Sequence, residues 1–123
     1  MFADPISATL NTVVTSLPRI TVKDASAVYR SANGKYTIKI SHQDTKTRTR
    51  RLIRFESING TFTSTLTGTT SSPGVNVYMV IDEPLTSSFD DTSDLAKTLC
   101  TDFMTWLTAS TNANLVKVLG AEI

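Results

Sequence analysis

The stretch Gly34–Phe55, GKYTIKISHQDTKTRTRRLIRF, decides how the rest of the chain is read. It spells two strands joined by a polar turn near 43–46. In the first, Lys35, Thr37, Lys39 and Ser41 alternate with Tyr36, Ile38, Ile40 and His42. Successive side chains of a strand point to opposite faces, so one face is polar and basic and the other largely apolar. In the second, Arg48, Arg50, Leu52 and Arg54 share a face, and Thr49, Arg51, Ile53 and Phe55 lie opposite. Arg51 thus falls on the apolar side, which fits an edge or a bulge better than a core. A sheet of this kind must cover its apolar face and can offer the cationic one to a polyanion, for which nucleic acid is the natural choice.

The charge distribution supports that reading. The net charge is only +1, yet residues 19–54 hold ten of the twelve Lys and Arg against Asp24 and Asp44, a local net of +8. Residues 82–123 hold seven acids against Lys97 and Lys117, a net of −5. Such asymmetry between halves points to polyanion binding, although a merely solvated sheet face would look the same. The 123 residues suffice for one domain with a core, and 40% hydrophobic with 19% charged residues is ordinary for a folded protein. No apolar run approaches the roughly 20 residues needed to span a bilayer. The N-terminal MFADPISATL has neither a basic nor an apolar signal region and does not read as a signal peptide.

Outward from the basic stretch, residues 6–15 alternate loosely, Ser16-Leu17-Pro18 reads as a turn, and Arg19–Lys23 as a return strand. Together they predict an N-terminal hairpin over 6–23. A strand near Ala25–Ser31 follows. Asn33-Gly34 predicts a type I′ turn, because both residues tolerate positive φ. The second basic strand continues or kinks through 58–60 into 61–67. Residues 67–74, TGTTSSPG, read as an exposed flexible loop. Val75–Glu83 is the cleanest strand, with Val75, Val77, Met79 and Ile81 on one face, Asn76, Tyr78, Val80 and Asp82 on the other, and Pro84 closing it.

After Pro84 the pattern changes to helix. Asp90, Asp91, Thr92, Ser93 and Asp94 offer N-caps and acidic groups for the positive end of a helix dipole. Leu95, Leu99, Phe103 and Trp106 follow at helical spacing, as do Ala96, Cys100, Met104 and Leu107. At about 100° per residue these fill an arc of about 180°, wider than one sheet contact requires, which predicts a second apolar neighbour. Ser110–Asn114 breaks the helix, and a second one over Ala113–Leu119 buries Leu115, Val116 and Leu119 before Gly120. The expected fold is α+β: a hairpin (6–23), a meander of about five strands (25–83) and a C-terminal helix pair (92–119) on one sheet face. One helix pair cannot cover such a sheet, whereas a two-fold dimer joining two sheets edge to edge, each chain laying its helices on its partner, can.

Nothing here looks catalytic. The one histidine, His42, falls on the apolar side or in the turn; the one cysteine, Cys100, reads as a small helix residue. There is no phosphate loop, metal-ligand cluster or nucleophile motif, so neither enzyme, cofactor nor metal is expected.

KYTIKI at 35–40, the Arg-bearing strand at 48–55, the TGTTSSPG loop, VNVYMVID at 75–82 and the closing helices together resemble the coat proteins of single-stranded RNA (levivirus-like) bacteriophages. The likeness covers essentially the whole chain and lies in the order of elements more than in any one motif. It implies an intertwined dimer with a continuous ten-stranded sheet, interlocked helices outside and an inner face toward genomic RNA. It further implies a T=3 icosahedral shell, assembly in the bacterial cytoplasm, and repression of translation through an RNA hairpin at the replicase start. By resemblance the RNA-binding positions are Lys35, Thr37, Lys39, Ser41, Asn76 and Tyr78, and the inter-dimer loop comprises Thr67, Gly68, Ser72, Pro73 and Gly74. The helix contacts of the dimer would come from Leu95, Leu99, Phe103, Trp106, Leu107 and Leu115. Chemistry agrees: Lys39 and Arg50 or Arg54 can pair with phosphates, Tyr78 can stack on a base, and Thr37, Ser41 and Asn76 can hydrogen-bond bases or 2′-hydroxyls. Cross-strand packing is the competing role for Tyr78. The alternative to a shell is a cellular sheet-based single-stranded nucleic-acid binder that stops at the dimer.

Overall fold

The nine-residue ladder between the two basic strands sets both faces of the sheet. The computed structural model of the chain describes residues 2–58, 60–85 and 95–122. The chain divides into two units, Met1–Asp82 and Glu83–Ile123. Strands β1 (Ile6–Leu10) and β2 (Val13–Leu17) form a hairpin. The main sheet has five strands in the order β3 (Arg19–Lys23), β4 (Ser26–Arg30), β5 (Tyr36–Asp44), β6 (Arg48–Ser57) and β9 (Val75–Pro84). β5 and β6 run antiparallel from Tyr36 opposite Ser57 to Asp44 opposite Thr49. That register puts Ile38 against Phe55 and Ile40 against Ile53 on one face, and Lys39 against Arg54 and Gln43 against Arg50 on the other.

The core sits on the apolar face over β4 and β5. Leu17, Tyr29, Ile38 and Ile40 are buried, with Ile6, Ala8, Leu10, Ala27 and Tyr36 packed against them. The β1–β2 hairpin therefore roofs this half of the sheet. Towards β6 and β9 the same face stays open: Phe55, Val75 and Val77 are exposed and border an apolar depression of about 150 Å³.

The N-terminal hairpin closes at Leu17 and not at Lys23. The chain reverses at Asn11-Thr12, both with positive φ (49° and 65°), and Arg19–Lys23 joins the main sheet instead. Threonine is an unusual occupant of such a turn because it is β-branched, which hid the reversal from a sequence reading. Pro18 separates the two strands, its carbonyl accepting from Arg30 N–H at 3.1 Å. Asn33-Gly34 is not a type I′ turn either: only Gly34 has positive φ (71°). Gly34 N–H donates to Ser31 O, while Asn33 Oδ1 accepts from Lys35 N–H and the Ser31 hydroxyl, so the asparagine acts through its side chain.

Beyond β6, β7 (Phe62–Thr63) pairs with β8 (Thr70–Ser71), and the Thr63 and Thr70 hydroxyls meet at 3.2 Å. The expected flexible loop over 67–74 thus contains one short strand, although Thr67, Gly68, Ser72, Pro73 and Gly74 are all exposed.

In the second unit, α1 covers Leu95–Leu119, with Ala109–Asn112 outside helical φ/ψ and Ser110, Thr111 and Asn112 at positive φ. Asn114 Nδ2 donates to Trp106 O at 2.7 Å, capping a carbonyl that the break would leave unpaired. α1 contains no buried residue: Leu95, Leu99, Phe103, Met104 and Trp106 are exposed and Leu107 and Leu115 half-buried. The predicted capping residues 90–94 lie outside the described residues.

Leu17→Ala should destabilise the fold by about 2–5 kcal/mol in denaturant unfolding, the usual cost of emptying a leucine site in a core. Leu66→Ala, at a side chain 96% exposed, should shift it by less than about 0.5 kcal/mol.

Candidate nucleic-acid interface

The polar face is built from alternate residues of four strands. β4 gives Ser26, Val28 and Arg30; β5 gives Thr37, Lys39, Ser41 and Gln43; β6 gives Arg50, Leu52, Arg54 and Glu56, all brought level by the ladders. From β9 come Asn76 and Tyr78. Arg54 Nη2 donates to Asn76 Oδ1 at 3.1 Å, and its guanidinium lies 5.3 Å from the centre of the Tyr78 ring, within cation–π range. One salt-bridged arginine therefore ties together two residues expected at an RNA site.

Arg54 also pairs with Glu56 Oε2 at 3.0 Å, and its Nε is buried without a hydrogen-bond partner. Farther along β6, Arg48 Nε donates to Asp82 Oδ1 at 2.7 Å and its Nη2 to Asp82 O at 3.1 Å. Two cations of the face are thus neutralised within the protein. Lys39, Arg50 and Arg30 make no ion pair with any described residue and remain the groups able to meet an external anion.

The expected site residues separate into three groups. Lys39 and Ser41 (half-buried) and Arg50, Asn76 and Tyr78 (exposed) share the face and are reachable. Thr37 is on the face but only 7% exposed, wedged beside Arg30 and Glu56, so it is poorly placed to touch a ligand. Lys35 is not brought to the face. The strand starts at Tyr36, and Lys35 lines a cavity of about 190 Å³ with Leu10, Asn11, Val13 and Thr15 of the hairpin. Sequence reading missed Glu56, although it follows Arg54 by two residues and so shares its face, and Arg30, whose placement needed the β4–β5 register. Leu52 and Val80 lie on this face as the alternation predicts, and with Val28, which the sequence reading did not place, they interrupt the polar surface. His42 lies opposite Arg51 on the far face, away from these groups.

Several solved structures share this architecture, among them the following three. The chain matches a virus-like particle of bacteriophage AVE019 at a TM-score of 0.75 and 7% identity, covering 100% of this chain and 98% of the other. It matches the protein capsid of bacteriophage GA at 0.61 and 14%, covering 95% of each chain. It matches an unassembled bacteriophage coat protein dimer, described as RNA-binding, at 0.59 and 14%, covering 97% and 93%. No curated protein sequence matches the chain. The fold is that of these bacteriophage coat-protein structures. The family model for the phage phiCb5 coat protein matches residues 3–84, and the chain belongs to that family, whose members are structural proteins and not enzymes.

Arg48→Ala should lower stability by less than about 1 kcal/mol in denaturant unfolding, because the Arg48–Asp82 pair is about half exposed on both sides (51% and 53%) and surface pairs contribute little. A much larger loss would make Arg48 a structural clamp between β6 and β9.

Proposed function

We propose that this coat protein forms two-fold dimers in which the free edges of two β9 strands meet, giving a continuous ten-stranded sheet. Each α1 then lies on the partner's apolar sheet face, with Leu95, Leu99, Phe103, Trp106, Leu107 and Leu115 at the contact. Ninety such dimers would close a T=3 icosahedral shell, a number fixed by that geometry at about 180 chains. The arms carrying Thr67, Gly68, Ser72, Pro73 and Gly74 meet their copies around the symmetry axes. The polar face looks inward and binds genomic RNA, and in a free dimer it binds a hairpin at the replicase start and represses translation. Assembly takes place in the bacterial cytoplasm.

The observation that carries this reading is the coincidence on one face of unpaired cations, Lys39 and Arg50, with an exposed aromatic ring, Tyr78, held by Arg54. Phosphate neutralisation by the cations and base stacking on the ring are the two contributions single-stranded RNA binding requires. The exposed apolar residues of α1 and of the β6–β9 half of the sheet support association, since a lone chain rarely leaves this much apolar surface open.

Tyr78→Ala should weaken binding of an RNA hairpin by about 1–3 kcal/mol in filter binding, the value of one stacked base. Lys39→Ala should weaken it and flatten the dependence of log K on log salt by about 0.7, one phosphate contact on a single strand. Dimer mass should stay unchanged in both. Negative-stain images and size exclusion of the expressed protein should show RNA-containing shells; a species that stops at the dimer would support the cellular single-stranded binder instead.

A further inference from the structure

We propose that Glu56 sets the specificity of this face by holding Arg54 away from phosphate, leaving Arg54 as the positioning residue for Tyr78 and Asn76. The inference rests on the RNA-binding reading above. A single nitrogen of Arg54, Nη2, is shared between Glu56 Oε2 at 3.0 Å and Asn76 Oδ1 at 3.1 Å. The side chains of Arg54 and Glu56 are 25% and 30% exposed, so the pair is less screened than one at the open surface. The buried, unpartnered Nε shows what sets this orientation. A free guanidinium would turn to satisfy that donor; here the carboxylate, the amide and the ring together fix it elsewhere.

The consequence is a division of labour along the face. A phosphate approaching Arg54 must displace a carboxylate already in place and is repelled by it, so this arginine adds nothing to indiscriminate backbone binding. With the guanidinium lying over the Tyr78 ring and the residue 54% exposed, an incoming base has a ring surface held in a fixed orientation. The Asn76 amide keeps its Nδ2 donors for a base edge or a 2′-hydroxyl, since only its Oδ1 is engaged by Arg54. Backbone attraction is left to Lys39, Arg50 and Arg30. Glu56 thereby lowers affinity for any RNA that offers phosphates alone, and leaves intact the contacts that need a splayed base.

The test compares variants of coat protein dissociated from its particles, held below assembly concentration, with a uridine homopolymer as probe and salt as the variable. Glu56→Gln keeps the shape and removes the charge. It should tighten homopolymer binding and steepen the plot of log K against log salt by about 0.7, one added phosphate. In the double variant Glu56→Gln with Arg54→Met the slope should return to the wild-type value, because the added contact is Arg54's own. An unchanged slope in Glu56→Gln, while Lys39→Ala flattens it, overturns the role of Glu56 and leaves the RNA face standing. A double variant as steep as the single overturns the assignment to Arg54, since loss of a nearby negative charge then suffices. Absence of salt-dependent binding in the wild type overturns the RNA face and this inference together.

Discussion

The register between β5 and β6 is the constraint on which the other features depend. A slip of one residue would exchange the faces of a whole strand, moving Arg50 and Arg54 to the apolar face and Ile53 and Phe55 to the polar one. Burial fixes the register: Ile38 and Ile40 lie under the hairpin with Tyr29 and Leu17, and moving either out would empty the centre of the core. The cationic face is in that sense a by-product of packing. The apolar half of the alternation is held by the hairpin roof, and the basic half has nowhere to go but the opposite side. A packing constraint on one face of the sheet thus becomes a binding surface on the other.

The alternation of β5, β6 and β9 was legible because period two in side-chain character survives any error in strand ends. Lys39 with Arg54, and Asn76 with Tyr78, could be placed on one face without knowing their partners. What resisted reading were the chain reversals and the pairings of charge. Asn11-Thr12 turns the chain with a β-branched residue at positive φ, so the real hairpin was passed over and Arg19–Lys23, a strand of the main sheet, was assigned to it. Asn33 turns the chain through its side chain and not through its own φ, which no dipeptide rule distinguishes. Lys35 and Thr37 had the right residue types at the right spacing. One lies before the strand begins and the other is enclosed by long neighbours, both facts of three dimensions.

Counting cations overstated the charge that the face can present. Of the arginines on the polar side of β6, Arg48 and Arg54 are neutralised by Asp82 and Glu56, and only Arg50 remains unpaired among the described residues. The local net of +8 therefore describes the segment and not its surface. Neutralisation costs attraction at long range and gains order at short range. A paired arginine cannot steer a polyanion, but it can hold an amide and an aromatic ring in place. The lining is consequently mixed: open cations for backbone, fixed polar and aromatic groups for bases, and an apolar strip at Val28, Leu52 and Val80 between them.

The two edges of the main sheet are not equivalent, and their difference bears on how the proposed dimer would form. The β3 edge is short, follows Pro18, carries a register irregularity between Arg19 and Thr21, and ends in Lys23. Those are the devices that discourage a strand from pairing with another chain. The β9 edge is ten residues long, and its one proline, Pro84, stands at the end. It also borders the half of the apolar face that the hairpin leaves open, where Phe55, Val75 and Val77 are exposed. Strand pairing at this edge would bring a second chain to the place where apolar surface is uncovered, so the unfilled hydrogen bonds and the uncovered side chains call for the same partner. Asn76 and Tyr78 lie on that edge strand too. Two copies meeting there would set two Arg54-held rings on either side of one two-fold axis, a symmetric surface no single chain can supply.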